Sequence, residues 1–252
     1  MKFSHLRTAL VAVAATLLAS AALAAAESGP TPYPDGNNEA AWPGVGPIRV
    51  FGWMTDNRKH FWTQREKDRG AIVFVGDSLT GNWNPKEMAK SFEGLKVANR
   101  GIGGDTSRGV LFRFREDVLD LKPQAVVLCV GTNDLSAHGD PAAAEKNILA
   151  ILDMAKQAEP AVPVVLCTIP PRDCPDSPTK PGAHADLNQR IAKLAAGREG
   201  VTLLDLFTPM AAPDGKPKAE FFAKDRIHLA TAGHAKWAEL VRPILEKLAA
   251  KK

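Results

Sequence analysis

The chain has 252 residues, of which 45% are hydrophobic and 24% are charged, and its formal net charge at pH 7 is +4. This composition is typical of a globular protein and excludes a disordered chain, a collagen-like chain and a small disulfide-stabilised domain. A net charge so close to neutral gives no reason to expect nucleic acid as a partner.

The predicted elements begin with an Ala-rich apolar stretch at residues 8–23. Lys2 and Arg7 precede this stretch, and it ends in Ala22-Leu23-Ala24, a small-x-small sequence typical of signal-peptide cleavage. Its apolar core is short for a bilayer span, which needs about 20 residues. We therefore interpret residues 1–24 as a secretory signal peptide and expect a secreted or periplasmic protein with no stable membrane anchor.

Residues 27–48 contain five prolines and several glycines and show no apolar periodicity. We interpret this stretch as the centre of a Pro-rich N-terminal arm, residues 25–57, that either lies on the following domain or serves as a linker. The rest of the chain, residues 58–252, shows no internal repeat and no second change of composition, so it is predicted to form one domain.

Five short, nearly all-apolar runs alternate with helical stretches after residue 58. The predicted strands cover residues 71–75, 95–98, 125–130, 164–169 and 201–204. Runs of this kind are typical of strands that are buried on both faces of a parallel sheet. Because crossover helices cover both faces of such a sheet, the pattern predicts an α/β fold, a three-layer α/β/α sandwich with a five-stranded parallel sheet.

Two helices carry specific boundary signals. Asp140 followed by Pro141 predicts a helix start, because the aspartate caps the first turn and proline fits its first position. The last helix is predicted to begin near Ala232, and Pro243 predicts a kink or a break near Arg242. In open parallel sheets the ligand site lies at the carboxyl ends of the strands, so the polar segments that follow the strands are the candidate site.

The segment Gly76-Asp77-Ser78-Leu79-Thr80 follows the first predicted strand directly. A serine here is expected at the carboxyl edge of the sheet, where its hydroxyl can face a ligand. Alternatively, Ser78 or Asp77 only caps the next helix. The segment is not the G-x-S-x-G elbow of α/β-hydrolases, because Thr80 stands at the position of the second glycine.

A glycine-rich segment, Gly101-Ile102-Gly103-Gly104-Asp105-Thr106, follows the second predicted strand. Its glycines allow the backbone to approach a ligand closely, either as a phosphate-binding loop or as a source of an amide donor for a developing oxyanion. The nucleotide signal is weak, because Thr106 replaces the last glycine of G-x-G-x-x-G and no Gly-Lys-Ser/Thr follows.

Asn133 and a carboxylate–histidine pair complete the candidates. Asn133 follows the third predicted strand, where it either closes a turn or donates a hydrogen bond into the crevice. Asp225 precedes His228 by three residues, so one local turn can bring its carboxylate to the imidazole Nδ1. That contact would fix the tautomer of His228 and leave Nε2 to take a proton from a serine hydroxyl.

Together these segments resemble the sequence blocks of the SGNH, or GDSL-type, hydrolase family. The matching blocks are Gly76-Asp77-Ser78-Leu79, Gly101-Ile102-Gly103-Gly104, Gly131-Thr132-Asn133-Asp134 and Asp225-x-x-His228. The glycine-rich block and the two residues after it are most similar to the branch related to the catalytic subunits of platelet-activating-factor acetylhydrolase. The resemblance spans roughly residues 58–248 and implies the flavodoxin-like fold of that family.

The resemblance also implies a role for each matching residue. It makes Ser78 the nucleophile, His228 the general base and then the general acid, and Asp225 the orienting carboxylate. The implied oxyanion hole consists of the backbone N–H groups of Ser78 and Gly104 and the side-chain amide of Asn133. Neither a metal nor an organic cofactor is implied.

Trp83, Asp105 and Thr106 are weaker candidates for substrate binding. Trp83 follows the nucleophile segment, so it either packs in the core or lines an acyl or sugar pocket. Asp105 and Thr106 either contact substrate or stabilise the turn in which they lie. No histidine pair has the i, i+4 spacing of a helical zinc site, so we expect no bound metal.

Three cysteines, Cys129, Cys167 and Cys174, follow the predicted signal peptide. The first two lie inside apolar runs, which favours buried free thiols. In an exported protein, Cys167 could instead form a disulfide with Cys174 across the intervening loop. The sequence leaves these two interpretations open.

The sequence therefore predicts an exported serine esterase that removes a short acyl group, acetyl being expected, from a carbohydrate or glycoconjugate through an acyl-enzyme. A lysophospholipase or thioesterase acting on longer acyl chains is an alternative with the same chemistry. A second alternative is a non-catalytic glycan-binding module on the same fold, although a full set of catalytic residues favours an enzyme. The sequence does not indicate an oligomeric state.

Overall fold

The computed structural model describes residues 29–250, so the predicted signal peptide lies outside the described residues. The chain divides into two compact units, residues 1–32 and 33–252. The described part of the first unit, residues 29–32, contains no helix or strand. The fold given below is that of the second unit.

Five strands form one parallel sheet in the second unit. They are β1 Ile72–Gly76, β2 Val97–Gly101, β3 Ala125–Cys129, β4 Val164–Cys167 and β5 Val201–Leu204. Their order across the sheet is β2-β1-β3-β4-β5, so β1 and β3 are neighbours near the middle and β2 and β5 are the edges.

Helices connect the strands. The α-helices among the described residues are α1 Gly52–Asp68, α2 Ser78–Gly81, α3 Pro85–Ser91, α4 Ser107–Asp117, α5 Thr132–Ser136, α6 Pro141–Gln157, α7 Ala183–Ala195, α8 Phe207–Met210 and α9 Thr231–Ala249. Short 3-10 helices cover Glu39–Ala41, Leu119–Leu121 and Ala219–Phe221.

The helices cover both faces of the sheet. Alternate residues of β1 show the two layers: Val73 and Val75 pack with α4, α6 and α7, whereas Ile72 and Phe74 pack with α9 and the short helices α2 and α3. The predicted three-layer α/β/α sandwich is therefore confirmed, and all five strands lie within three residues of their predicted positions.

One local expectation is wrong, and of the kink or break predicted near Arg242 the break is not found. Thr202 and Leu203 of β5 are exposed, because β5 is an edge strand with one neighbour, so it is not buried on both faces. The helix α9 does not break at Pro243 but runs on to Ala249. Buried side chains on both sides of the proline, Val241 and Leu245 among them, hold the two parts in one helix.

The helix start at Pro141 is confirmed. Asp140 accepts a hydrogen bond from the backbone N–H of Ala142 at 2.9 Å, and the proline occupies the first turn.

The Pro-rich arm is shorter than predicted. The helix α1 begins at Gly52, inside the segment assigned to the arm. The arm of the structure is therefore residues 33–51, which we call the arm from here on.

The arm lies on the domain and is held there by buried side chains. Asn147 of α6 accepts from the backbone N–H of Val45 at 3.0 Å and donates to its carbonyl oxygen at 2.8 Å. Arg108 of α4 donates to the carbonyl oxygens of Pro43 and Gly46 at 2.9 and 3.0 Å. These contacts fix the path by which the arm reaches the carboxyl edge of the sheet.

All three cysteines are free thiols. Cys129 and Cys167 are buried at the ends of β3 and β4, and Cys174 is partly exposed, so the alternative of a Cys167–Cys174 disulfide is not realised. Within residues 29–250, no helix combines the length and the apolar character that crossing a membrane requires.

Candidate active site

Ser78 begins α2 at the carboxyl edge of the sheet. Before it, the backbone of Gly76 passes so close to β3 that a Cβ would lie 1.9 Å from the Cys129 carbonyl oxygen, so only glycine fits. Asp77 caps α2, because its Oδ1 accepts the Leu79 backbone N–H at 2.9 Å. Of the two residues that could cap this helix, Asp77 is the cap. The Ser78 hydroxyl is therefore available for other contacts.

The Ser78 hydroxyl meets the histidine of the C-terminal turn. His228 Nε2 lies 2.9 Å from Ser78 Oγ, and His228 Nδ1 lies 2.6 Å from Asp225 Oδ2. Both distances are those of hydrogen bonds, so the imidazole bridges the hydroxyl and the carboxylate. In this arrangement an oriented base can accept the proton of a nucleophile.

A tight turn fixes the Asp225 carboxylate against the ring. Asp225 Oδ1 accepts the backbone N–H groups of Ile227 and His228 at 3.0 and 2.9 Å, which directs Oδ2 towards Nδ1. Arg226 adopts a left-handed φ of 56°, an uncommon conformation for a residue with a side chain. An ion pair of 3.0 Å between Arg226 and Asp173 helps to hold the turn.

The surroundings of Asp225 favour its charged form. Partial burial alone would raise the pKa of Asp225, but hydrogen bonds from His228 and from two backbone N–H groups lower it, and the net pKa lies below the ordinary value. An ionised carboxylate at this position stabilises the imidazolium that forms when His228 accepts a proton.

Candidate oxyanion donors lie beside the hydroxyl. The backbone N–H of Ser78 is in the first turn of α2, where N–H groups have no intrahelical acceptor. Gly103 borders Ser78, since a Cβ on Gly103 would lie 3.8 Å from Ser78 Cβ, and Gly104 follows it with a φ of 86°. Asn133 Nδ2 donates to the carbonyl oxygen of Asp105 at 2.9 Å, which holds the amide next to this loop.

Trp83 does not line a pocket at the site. Only 2% of Trp83 is exposed, and its ring packs against Phe74, Phe92 and Trp237 in the core. The expectation of an acyl or sugar contact is corrected for a simple reason: α2 is one turn long, so the chain that follows it already packs against the face of the sheet.

Asp105 and Thr106 also serve the fold. Asp105 is fully buried and forms an ion pair of 2.8 Å with Arg113. Thr106 caps α4 by accepting the Gly109 N–H at 3.2 Å, and its hydroxyl donates to the Pro47 carbonyl oxygen at 3.0 Å. The predicted substrate contacts are therefore corrected, because both side chains are buried, Asp105 against Arg113 and Thr106 between α4 and the arm.

Two buried acids lie beneath the site. Burial raises the pKa of Asp77 to about 7, against the lowering effect of the Leu79 N–H, and the charges of Asp105 and Asp134 add to the increase. Burial likewise raises the pKa of Asp134 to about 6, although the hydroxyl and N–H of Ser107 both donate to it. These carboxyl groups take up protons near neutral pH.

Sequence reasoning missed one neighbour of Asn133, which the arm provides. Arg49 Nη1 donates to Oδ1 of Asn133 at 3.0 Å. The two residues are 84 positions apart, and no sequence spacing connects them. The available signal was a basic residue at the end of a proline-rich segment that must lie somewhere on the domain.

Two exposed aromatic side chains at the end of the arm and the start of α1 lie against the glycine-rich loop. Trp53 Nε1 donates to the Gly103 carbonyl oxygen at 2.9 Å, and the Phe51 ring lies against Gly104, whose Cβ would be 3.0 Å from Phe51 Cε2. The two rings stack on each other with centroids 4.5 Å apart. We call Phe51 and Trp53 the aromatic pair.

Metal-binding groups are not assembled near the site. In the part of the chain covered by residues 29–250, no three His, Cys, Asp or Glu side chains are grouped so that they could hold a metal ion. His184 and His234 contact backbone carbonyl oxygens through Nε2, those of Ile169 at 3.1 Å and Leu79 at 3.0 Å.

Comparisons with known proteins identify the family of the chain. The model of the GDSL-like Lipase/Acylhydrolase family matches residues 70–236. The chain is 28% identical over 201 residues to the platelet-activating factor acetylhydrolase IB subunit alpha2 of Rattus norvegicus. This alignment covers 77% of this chain and 86% of the relative.

Solved structures give the same result. A GDSL-like lipase from Bacteroides thetaiotaomicron superimposes with a TM-score of 0.66 at 26% identity, covering 75% of this chain and 97% of that one. An acetyl xylan esterase superimposes with a TM-score of 0.59 at 25% identity, covering 69% of this chain and 98% of that one.

Proposed function

The chain belongs to the GDSL-like lipase/acylhydrolase family and is a carboxylic ester hydrolase, and on that premise we propose that it is a serine esterase for short acyl esters, acetyl above all, of carbohydrate alcohols. The observation that carries the proposal is the pair of hydrogen bonds from His228, 2.9 Å to the Ser78 hydroxyl and 2.6 Å to the Asp225 carboxylate. An unactivated hydroxyl is a poor nucleophile and needs such a base.

In the proposed mechanism, Ser78 Oγ attacks the ester carbonyl carbon while His228 Nε2 accepts the hydroxyl proton. Asp225 stabilises the imidazolium. The tetrahedral intermediate then collapses: the bond to the leaving alcohol oxygen breaks, and His228 gives its proton to that oxygen. A water molecule attacks the acyl-serine with His228 again as the base, which releases the carboxylic acid and restores Ser78.

The negative charge on the carbonyl oxygen needs donors that are already in place. We assign this role to the backbone N–H groups of Ser78 and Gly104 and to one N–H of the Asn133 side chain. Preorganised donors of this kind contribute strongly to acyl transfer, and the loss of one typically lowers turnover by about 10²–10³-fold.

Two observations support a short acyl group on a carbohydrate. Relatives of the chain carry names that specify an acetyl group, an acetylhydrolase subunit and an acetyl xylan esterase. The aromatic pair beside the nucleophile is exposed, 37% for Phe51 and 52% for Trp53, although large apolar side chains usually avoid water. A flat ring at this place suits the C–H face of a sugar that carries the ester.

Export is a separate part of the proposal. It is supported by the charged start, the Ala-rich core and the Ala22-Leu23-Ala24 sequence, which together have the order of a signal peptide. An exported esterase would meet polysaccharides and other glycoconjugates of the cell exterior.

Hydrolysis of p-nitrophenyl esters tests the proposed function. Protein that starts at Ala25 should cleave the acetate faster than the butyrate and the octanoate, and it should release acetate from O-acetylated xylan. Ser78→Ala should lower turnover by about 10⁴-fold or more. Thr63→Ala, which removes an exposed hydroxyl on α1, is the matched control and should keep wild-type activity.

Other outcomes would point elsewhere. Faster hydrolysis of octanoate than acetate would contradict the short-acyl proposal and favour the lysophospholipase or thioesterase alternative. Equal rates in the wild type and in Ser78→Ala would contradict the nucleophile assignment. Binding of xylan without any ester hydrolysis would favour a glycan-binding module.

A further inference from the structure

Asn133 is held at both ends of its side-chain amide. Its Oδ1 accepts from Arg49 Nη1 at 3.0 Å, and its Nδ2 donates to the Asp105 carbonyl oxygen at 2.9 Å. An amide nitrogen has two hydrogens, so one N–H of Asn133 remains for a ligand. Both contacts together fix the plane of the amide and hence the direction of that N–H.

Arg49 contributes something that a neutral partner could not. A guanidinium has donors and no acceptor, so it can bond to Oδ1 but not to Nδ2, and the amide cannot turn over while this bond is present. The charge on the donor also polarises the amide, which strengthens the N–H on its other side. The developing oxyanion would meet a donor that is already oriented and polarised.

The charge of Arg49 is not cancelled by an acid of the described chain. No carboxylate of residues 29–250 forms an ion pair with Arg49, whereas most buried arginines nearby, such as Arg108 and Arg113, do have one. A second guanidinium, that of Arg172, donates to the carbonyl oxygen of Thr132 at 2.7 Å, one residue before Asn133 in the chain. Two guanidinium groups therefore flank Asn133, one on its side chain and one on the neighbouring backbone.

The arm gives Arg49 a fixed position. Two residues before it, the Pro47 carbonyl oxygen accepts the Thr106 hydroxyl at 3.0 Å. Three residues after it, α1 begins at Gly52. The backbone of Arg49 is thus held between two anchored points, which places its side chain within reach of Asn133 before any ligand binds.

We infer that Arg49 is a positioning residue of the oxyanion hole, which acts on the reaction through the side-chain amide of Asn133. This inference rests on the proposed function, because it assumes that Asn133 donates to the oxyanion of the ester intermediate. It also gives the arm a part in turnover, beyond covering the domain.

The test compares Arg49→Gln and Arg49→Lys with the wild type on p-nitrophenyl acetate. Arg49→Gln should lower kcat by about 10–100-fold, less than the loss of an oxyanion donor, and should change KM by no more than about twofold. Arg49→Lys should recover part of the loss, since an ammonium keeps the charge without the rigid fork. Arg198→Gln is the control, because Arg198 is a half-buried arginine that pairs with Asp153 at 2.8 Å, away from the site.

A double-mutant cycle shows whether the effect passes through Asn133. In an Asn133→Ala background, Arg49→Gln should lower kcat by less than about twofold, because the amide that Arg49 orients is gone. Binding of a trifluoromethyl ketone, which adds to the serine and forms an oxyanion, should weaken in Arg49→Gln as much as kcat falls. Binding of the corresponding methyl carbinol, which forms no oxyanion, should not change.

Several results would overturn the inference. The first is an unchanged kcat in Arg49→Gln. The second is an equal decrease of kcat by Arg49→Gln in the wild-type and Asn133→Ala backgrounds. The third is that Arg49→Gln weakens binding of the ketone and of the carbinol equally. If Asn133→Ala does not fold, binding of the ketone and the carbinol to Arg49→Gln still tests the inference. An absence of esterase activity in the wild type would instead contradict the proposed function, so the two failures are distinguishable.

Discussion

Ser78 and His228 are 150 positions apart in the chain, yet His228 Nε2 lies 2.9 Å from Ser78 Oγ. The contact exists because β1 delivers Ser78 to the carboxyl edge of the sheet and the turn before α9 returns the chain to the same edge. The antiparallel bridge between Phe222 and Leu229 closes this turn on both sides of His228. The candidate site therefore depends on where one turn docks.

Asp225→Asn should lower kcat by about 10²–10⁴-fold, because an amide can hold the ring in the wrong tautomer and cannot stabilise the imidazolium. The folded structure should change little, since the turn can keep its backbone hydrogen bonds. Asp153→Asn is a matched control: Asp153 has a similarly exposed side chain, 45% against 43% for Asp225, and pairs with an arginine. Steady-state kinetics near pH 8 check the prediction, and more than a third of wild-type turnover in Asp225→Asn would contradict it.

As the pH rises from about 4 to about 7, Asp77 should lower the stability of the protein, whereas His184 and His234, whose pKa burial lowers, should raise it. Burial raises the pKa of Asp77 to about 7, whereas the same group in the unfolded chain titrates near 4. In this range the folded state holds a proton that the unfolded state has lost, so higher pH favours unfolding.

Urea unfolding of Asp77→Asn at pH 5 and pH 8 measures this contribution. The change in the free energy of unfolding from pH 5 to pH 8 should be more favourable to the folded state in Asp77→Asn than in the wild type. The contribution of Asp134, whose pKa burial raises to about 6, should be the same in both proteins. Asp214→Asn, a change at an exposed turn, should leave the wild-type difference intact. If the free energy of unfolding differs between pH 5 and pH 8 by the same amount in Asp77→Asn and in the wild type, the prediction is wrong.

Trp83→Ala should mainly reduce stability, whereas Trp53→Ala should mainly weaken substrate binding. Trp83 is buried, so Trp83→Ala should lower the free energy of unfolding by about 3–5 kcal/mol. Trp53 is half exposed and loses one hydrogen bond, so Trp53→Ala should cost only about 1 kcal/mol. In Trp53→Ala, the KM for an O-acetylated oligosaccharide should rise at least fivefold, and it should rise more than the KM for p-nitrophenyl acetate.

Trp53→Phe separates stacking from the hydrogen bond to Gly103. It keeps a ring and removes the indole N–H, so it should restore most of the oligosaccharide binding. A KM ratio between the two substrates that stays at the wild-type value in Trp53→Ala would argue against a sugar on the aromatic pair.

Cells of the source organism should export the protein with residues 1–24 removed. Intact mass spectrometry of the exported protein should give a chain that begins at Ala25. Ala24→Phe should block this cleavage, because the position before the cut requires a small residue. Recovery of the full 252-residue chain outside the inner membrane would contradict the signal-peptide prediction.

Much of the fold follows from local patterns of the sequence. The apolar runs of β1, β3 and β4 give continuous buried strands, and Asp140-Pro141 gives the start of α6 where expected. The contact between Asp225 and His228 is equally local, since three residues and one turn bring the two side chains together. Each of these features depends on neighbours in the chain, so each can be deduced from spacing alone.

Contacts between distant segments could not be deduced in that way. Nothing in the spacing of Arg49 and Asn133 says that they touch, and Trp83 follows the nucleophile segment in sequence while packing away from it in space. Side-chain neighbours across tens of residues are set by how the helices and the arm pack on the sheet. Strand periodicity and turn chemistry determine the elements and their order, whereas close packing in three dimensions decides which side chains surround the hydroxyl of Ser78.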